Sequence, residues 1–496
     1  MSGAEAILEP ALPFDMKGRA RRAGRDVRLQ QFVHKASRLK YTGRINACAD
    51  AFGSQYDEVR AHAGAVKQHT LDHLDHYLAQ FMTRAAEAGI QVHCATDAAE
   101  ARALCLAIAR AHNSRLCVKS KSMVTEEIRL LPALAAAGVR TIETDLGEFI
   151  VQLDDDAPSH IVTPMIHKDR TAVARAFVRE LKSRYTEDPR ELTMIARAHM
   201  RELYQQADLG ISGANFLIAE TGSLVICTNE GNADLAVNLP PVHIAVVGIE
   251  KVIPKSSHLP IFLKLLARSA TAQAMTVYTS IITGPRRVDE SEGPREVHVI
   301  LLDNGRIDML KRETRELLRC IRCGACLNAC PVYRNVGGGH AYGAVYSGPI
   351  GAVVTPLLKG LENYPDLPKA SSLCGACHTA CPVDIDIPRY LVQHRRQMVQ
   401  RHIGSPTDRL IYRLWAAALR NRFSYLTAAL LTRRMLRANA DLPGAAGDAY
   451  SDRGWIRHLG GPLSGWTSER DLPTPTSRTF RDWWRDHSSQ RARGDS

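Results

Sequence analysis

Seven of the twelve cysteines fall between residues 320 and 381, in two phrases whose spacing suits iron. Cys320, Cys323, Cys326 and Cys330 precede Pro331, and Cys374, Cys377 and Cys381 precede Pro382. The first phrase reads CxxCxxCxxxCP, the bacterial run for [4Fe-4S] clusters. Two-residue gaps let one short turn bring three thiolates around a face of a cubane, and Gly324 and Gly375 suit such tight wrapping. The fourth cysteine of the run lies too far along to close the same cube, and in two-cluster arrangements it serves the other one. That crossing assigns Cys320, Cys323, Cys326 and Cys381 to cluster 1, and Cys330, Cys374 and Cys377 to cluster 2.

Cluster 2 is one ligand short, and Ser371 stands where a full second run has its first cysteine. It is therefore expected as [3Fe-4S], or as [4Fe-4S] with an alkoxide, a water or a distant residue on the fourth iron. Structural zinc also uses CxxC pairs, but a third cysteine at the same spacing followed by CP is poor zinc grammar. One cluster can brace a fold. Two adjacent clusters suit electron transfer, since each passes one electron at a time.

The rest of the 496-residue chain has to position these groups. Hydrophobic content of 45% and charged content of 23% are ordinary for a globular protein. The N-terminal stretch has arginines without a following apolar h-region, and no apolar run reaches membrane-spanning length. With thiolate clusters, this reads as a cytoplasmic protein. Net charge is +12, of which residues 1–40 carry +5 and residues 401–496 carry +7, so the body between is neutral. The basic ends suggest docking on an acidic partner or on anionic lipid at the inner face of the membrane. Nucleic acid is excluded, because no recognition motif or aromatic-basic interleaving accompanies the charge.

Periodicity predicts helices over 27–48 and 55–88, the second carrying His69, His73 and His76 on one solvated face. From 90 to 165, IQVHCAT, SRLCVKS, VRTIETD and HIVTPMI read as strands, with AAEARALCLAIARAH and VTEEIRLLPALAAAG as helices between three of them. This is βαβ grammar and predicts a parallel sheet covered by helices. Helices near 169–184 and 188–207 follow, then paired strands in LGISGANFLIAETGSLVICTNEGN. VHIAVVGIE and REVHVILLD return to the sheet, and a helix spans 259–275. The tail opens with an amphipathic pair, PTDRLIYRLWAAALRNRF and LTAALLTRRMLR, then loses periodicity. Its Trp455, Trp466, Trp483 and Trp484 either anchor a partner or pack back on the cluster domain.

Polar residues gather at the strand ends, where ligands of α/β folds bind. Lys119, Ser120, Lys121 and Ser122 follow one strand and precede Thr125, Glu126 and Glu127; Glu143, Asp145 and Glu148 follow the next. Asn215, Glu220, Thr221, Ser223, Asn229, Glu230 and Asn232 lie in the later hairpin. No GxGxxG follows the first strand and no P-loop is present, so neither a dinucleotide nor a nucleotide-triphosphate signature is available. A small-anion site built from this group competes with plain capping and turn formation. Cys48, Cys94, Cys105, Cys117 and Cys227 sit in apolar contexts and read as small hydrophobes.

SGANFLIAETGSLVICTNEGN, KSKSM at 119–123 and ETDLGEF at 143–149 resemble the LUD (lactate utilisation) domain, of the NagB/RpiA/CoA-transferase-like fold. With the cysteine phrases, GGGHAYGAVYSGPIGAVVTP between them and GWTSERDLPTPTSRTFRDWW at 465–484, nearly the whole chain is similar to the LutB type of iron-sulfur protein. The resemblance implies residues 1–50 as a basic helical arm, 51–305 as the α/β LUD domain, 306–395 as an α-helical dicluster ferredoxin-like domain and 396–496 as a basic helical and irregular tail. It also implies oxidation of L-lactate to pyruvate with LutA-like and LutC-like companions, and the same seven ligating cysteines, with Ser371 no departure. The electron acceptor and any flavin are not legible. Two rival readings stand beside the relay: a 2-hydroxy-acid dehydrogenase site in the LUD domain itself, with Glu220 and Lys121 as candidate catalytic residues, or a scaffold braced by clusters.

Overall fold

Runs of β-branched and aliphatic residues between capped helices build the centre of the molecule. A computed structural model describes residues 3–440, 454–468, 470–476 and 479–494. The chain divides into two units, residues 1–403 and 404–496.

In the first unit, ten strands are β1 (Gln91–Ala95), β2 (Leu116–Lys119), β3 (Arg140–Glu143), β4 (Leu209–Ser212), β5 (Phe216–Ile218), β6 (Ser223–Thr228), β7 (Val242–Gly248), β8 (Val252–Ile253), β9 (Tyr278–Ile282) and β10 (Glu296–Leu302). Six form a sheet in the order β1-β10-β7-β4-β2-β3, and every pairing in it is parallel. Strands covered on both faces must be apolar on both, and β7 and β10 nearly are. Along β10, Val297, Val299 and Leu301 face a layer containing Leu74 and Phe81, while Ile300 and Leu302 face helix Ala98–Ala111. Asp97, Asp145, Asp169 and Asp188 each cap the helix that follows by accepting backbone N–H bonds. A second sheet, β8-β5-β6-β9, contains the antiparallel pair read from the sequence.

The predicted strand HIVTPMI is irregular instead. His160 Nδ1 accepts from the backbone N–H groups of both Val162 and Thr163, and Pro164 has no N–H to give a ladder. β9 was not read from the sequence, because its short alternation is flanked by polar residues. The predicted 55–88 helix is two, Tyr56–Asp72 and Leu74–Glu87, broken at His73. His69, His73 and His76 are all exposed on it.

Beyond β10 the chain turns to short helices, among them Ala325–Ala329, Pro331–Asn335, Gly348–Lys359, Ala376–Thr379 and Ile387–Gln400. Their core is continuous with Phe216, Phe262 and Leu265 of the α/β region. Helix Val27–Phe52 straps this junction, burying Val33, Ser37, Arg44 and Cys48 and packing on helices Leu259–Thr271 and Ala325–Ala329. The basic N-terminal arm therefore lies along the body, not away from it.

The second unit holds the expected helix pair, Pro406–Leu419 and Arg422–Ala438, a two-stranded ribbon of Trp455–Ile456 with Leu472–Pro473, and helix Phe480–Gly494. Trp466, Trp483 and Trp484 are exposed. Part of the tail segment read as aperiodic, residues 441–453, lies outside the described residues. No helix among the described residues is long and apolar enough to cross a membrane.

Candidate functional site

The two cysteine phrases fold into the same local shape. Arg322-Cys323-Gly324-Ala325-Cys326 and Leu373-Cys374-Gly375-Ala376-Cys377 each place two residues in the left-handed region, with φ of 60° at Arg322, 73° at Gly324, 56° at Leu373 and 82° at Gly375. Each glycine opens a short helix that carries the next cysteine. Left-handed turns of this kind aim successive N–H groups inward, which is what anionic sulfur needs. Ser371 extends the correspondence. Its Oγ accepts from Leu373 N at 3.1 Å, as Cys320 Sγ accepts from Arg322 N at 3.4 Å.

Tertiary packing then interleaves the phrases. Cys326 is surrounded by Cys320, Cys323, Cys377 and Cys381, and burial with these neighbours pushes its thiol well up. Burial also raises Cys323 and Cys381, each of which feels Cys320. Cys330 instead lies beside Cys374, and Cys377 feels both of them. Cys374 is exposed, and the N–H of Ala376 with the hydroxyl of Ser372 lowers its thiol. Backbone N–H groups also reach the sulfurs of Cys330, from Val332 and Tyr333, and of Cys381, from Val383 and Ile385. No disulfide joins any of the twelve cysteines. Crowded, unpaired sulfurs, most of them buried and several supplied with N–H donors, fit iron-sulfur clusters, whose iron cations offset the negative charge of the thiolates.

A buried ionic joint ties this region to the sheet ends. Arg306, 2% exposed, bonds both oxygens of Glu127 at 2.9 Å, Glu250 Oε2 at 2.6 Å and the carbonyl of Asp303 at 2.9 Å. Tyr346 donates to Glu127, and the Arg322 guanidinium lies 4.2 Å over the Tyr346 ring and 3.7 Å from Glu250. Burial pushes Glu250 up, but Arg306, Lys251 and Arg322 outweigh it and hold the carboxyl at about 2. Lys67 is also buried and donates to the carbonyls of Glu250 and Val252.

Above the C-terminal ends of β2, β3, β4 and β7 lies a cavity of about 400 Å³. Ser120, Lys121 and Ser122 enter it after β2, Asp145 after β3, Asn215 after β4 and Lys251 after β7, with Asn229, Glu230 and Asn232 from the hairpin. Lys40 of the N-terminal helix and Arg322 of the first cysteine phrase complete its wall. Lys121 Nζ donates to Val162 O at 2.8 Å and lies 3.9 Å from Asp145. Burial and the Asp145 charge push Glu230 up to about 6.

The other candidates go elsewhere. Glu220 is exposed, accepts from Ser256 N at 2.9 Å and does not line the cavity, nor do Thr221 and Ser223. Lys119 is buried and bonds Glu143 at 2.8 Å, with Glu148 at 3.8 Å and Glu126 nearby, behind the cavity and not in it. Of the five remaining cysteines, Cys48, Cys105 and Cys117 are buried, Cys227 lines the cavity and Cys94 is exposed on edge strand β1. Sequence reasoning did not single out Lys251, Arg306 or Arg322. A lysine ending the apolar run VHIAVVGIEK and an arginine between two cysteines were the available signals.

Comparisons with known proteins agree with these parts. Residues 78–302 match the LUD domain model, 316–385 the 4Fe-4S dicluster domain and 393–489 the C-terminal domain of lactate utilisation protein B. A solved DUF162-family protein from Deinococcus radiodurans is 14% identical and covers 46% of this chain and 98% of its own, with a TM-score of 0.24. Proteins named lactate utilization protein B from Bacillus thuringiensis (strain Al Hakam), Bacillus cereus (strain AH187) and Bacillus anthracis (strain CDC 684 / NRRL 3495) are each 41% identical over 456 residues, 92% of this chain and 93% of theirs. On identity and coverage together, the chain belongs to the lactate utilisation protein B family.

Proposed function

We propose that this chain is the electron-transfer subunit of an assembly that oxidises L-lactate to pyruvate. One observation carries the reading: the two cysteine phrases interleave into two adjacent groups, one enclosed beside the strand-end cavity and one reaching the surface at Cys374. Enclosure at one end and exposure at the other is the layout of a path between an interior donor and an external acceptor.

Cys320, Cys323, Cys326 and Cys381 would hold cluster 1, and Cys330, Cys374 and Cys377 would hold cluster 2. Bound there, the clusters would supply one-electron redox chemistry, which suits the two-electron oxidation of a 2-hydroxy acid taken in single steps. The chain's own residues tune the sites: backbone N–H groups at Tyr333, Ala376 and Val383 disperse charge on the sulfurs, and burial of Cys323 and Cys381 withholds water. LutA-like and LutC-like companions supply the remaining parts, and the basic segment 401–496 offers them a docking surface.

The test is anaerobic purification of the chain alone, with iron and sulfide counted and EPR spectra recorded. Dithionite is expected to reduce two clusters, and L-lactate to reduce them once the companions are added. Clusters that no donor reduces would make them structural braces and end the relay reading.

A further inference from the structure

Three groups of histidine and carboxylate side chains among the described residues are close enough to share a cation. Two of them already face one. Asp156, grouped with His167 and His340, holds the Lys168 ammonium at 2.8 Å, and Glu126, Glu143 and Glu148 surround the buried Lys119. The third group is His112, Glu296 and His298, and no lysine or arginine is ion-paired with Glu296 among the described residues.

Strand geometry assembles this third group. Alternate residues of a strand share a face, so Glu296 and His298 lie side by side at the start of β10, on the face covered by helix Ala98–Ala111. His112 ends that helix and reaches the same place. Nε2 of His112 is 3.4 Å from Glu296 Oε2, Nε2 of His298 is 3.5 Å from it, and the group's ligand atoms all lie within 4.8 Å of one another. Ligands about 2.0–2.1 Å from a tetrahedral zinc are roughly 3.4 Å apart. A buried nitrogen points to the same cation. The His298 side chain is 5% exposed, and its Nε2 has no hydrogen-bond partner. Its other nitrogen, Nδ1, is 3.2 Å from His93 Nε2 on the neighbouring strand β1. With Nδ1–H donating to His93, the Nε2 lone pair faces a carboxylate oxygen, which is the tautomer and orientation of a zinc-bound imidazole. A proton shared between His112 and Glu296 leaves that nitrogen unsatisfied, whereas a divalent metal satisfies all three groups. Gln91 donates to Glu296 Oε2 at 3.3 Å and steadies the carboxylate.

We infer that His112, Glu296 and His298 form a binding site for a divalent transition metal of the zinc type, with His93 as the outer partner that orients His298. Two imidazoles and one carboxylate suit zinc and not magnesium or calcium, which take oxygen ligands. The His112 and Glu296 side chains are 29% and 40% exposed, so the fourth position opens to solvent and takes water. The site lies at the N-terminal end of β10, the opposite end of the parallel sheet from the cavity, and uses none of the cysteines. Bound metal would pin the end of helix Ala98–Ala111 to β10 beside the edge strand β1.

The experiment titrates zinc, against a competing chromophoric chelator, into the iron-loaded full chain under anaerobic conditions, and records zinc K-edge EXAFS at one equivalent. One zinc is expected per chain, with nitrogen and oxygen scatterers at about 2.0–2.1 Å, and it should raise the melting temperature. His112→Gln and Glu296→Gln, both at partly exposed positions, are each expected to weaken zinc by tenfold or more and to abolish that rise. His93→Phe removes only the outer partner and should weaken zinc about tenfold to a hundredfold. A melting temperature matching the zinc-free native chain identifies variants that are folded. A sulfur shell at about 2.3 Å places the zinc on the cysteine phrases and overturns the inference. Zinc held by nitrogen and oxygen with an affinity that neither His112→Gln nor Glu296→Gln changes also overturns it, and assigns the metal to another face such as that of His69, His73 and His76. Absence of binding at micromolar zinc overturns it as well. Unchanged affinity in His93→Phe overturns the orienting role of His93.

Discussion

Replacing Arg306 by methionine tests whether the ionic joint holds the sheet ends against the first cysteine phrase. Methionine keeps much of the side-chain length and removes four hydrogen bonds, three of them to the carboxylates of Glu127 and Glu250. Both carboxylates then remain buried, Glu250 keeping Arg322 at 3.7 Å and the charge of Lys251, and Glu127 keeping only the neutral donors Tyr346 and Asn304 among its hydrogen bonds. Breaking a buried pair from one side costs roughly 3–5 kcal/mol, because the penalty is that of an uncompensated charge. Guanidinium unfolding followed by far-UV circular dichroism measures it. All five tryptophans lie beyond residue 404, outside this unit. Adding Glu127→Gln to the Arg306→Met chain removes one of the stranded charges and should restore part of the loss, with a coupling of roughly 0.5–3 kcal/mol. The pH dependence has a defined sign. In the native chain Glu250 is held at about 2 and Glu127 is also lowered, so their contribution is present above about 4.5 and is lost as pH falls toward 2. Without Arg306, burial dominates and raises Glu127 instead, so the variant gains stability as pH falls from 7 to 5. The gap between the two proteins must therefore narrow on mild acidification. A gap under about 1 kcal/mol at pH 7, or one that widens toward pH 5, refutes the account of this joint.

Three further outcomes follow from the same geometry. Cys381→Ala should remove the cluster built on Cys320, Cys323 and Cys326, and Cys330→Ala the cluster beside Cys374, each with loss of about half the iron; EPR of the reduced variants distinguishes this crossing from assignment by phrase. Ser371→Cys supplies a fourth thiolate at the position corresponding to Cys320, and iron should then be lost more slowly in air; an unchanged rate places Ser371 out of reach of the iron. Glu126 is pushed up to about 8 by burial and by Glu148, so its favourable contribution is complete below about 4.5 and is lost as pH rises through 8. Glu126→Gln should accordingly flatten the fall in melting temperature between pH 6 and pH 8.5, and an equally steep fall in the variant assigns the pH dependence to other groups.

Local chemistry decided what the sequence could show by itself. The two cysteine phrases are legible because a cluster needs thiolates a few residues apart, and that requirement is written in spacing. The parallel sheet is legible for a similar reason. Strands buried on both faces must be apolar throughout, and VHIAVVGIE and REVHVILLD are nearly so over β7 and β10. The run HIVTPMI shares that composition, yet the imidazole of His160 takes up two backbone donors and Pro164 offers none, so composition alone misplaced a strand there.

Contacts between distant segments were decided only by the tertiary structure. Cys381 joins cysteines some sixty residues earlier because the two phrases are packed as a pair, a relation that no local pattern encodes. Lys251 and Arg322 are separated by β9, β10 and the joint at Arg306, and they meet only when the cluster region folds onto the strand ends. The basic N-terminal segment looked like an appendage because its charges face water. Its buried stripe of Val33, Ser37, Arg44 and Cys48 shows that one face of the helix is committed to the body. Spacing along a chain thus determined which residues could hold iron, and packing between elements 183 to 321 residues apart, as in Lys67 with Glu250 and Arg60 with Cys381, determined what those residues lie against.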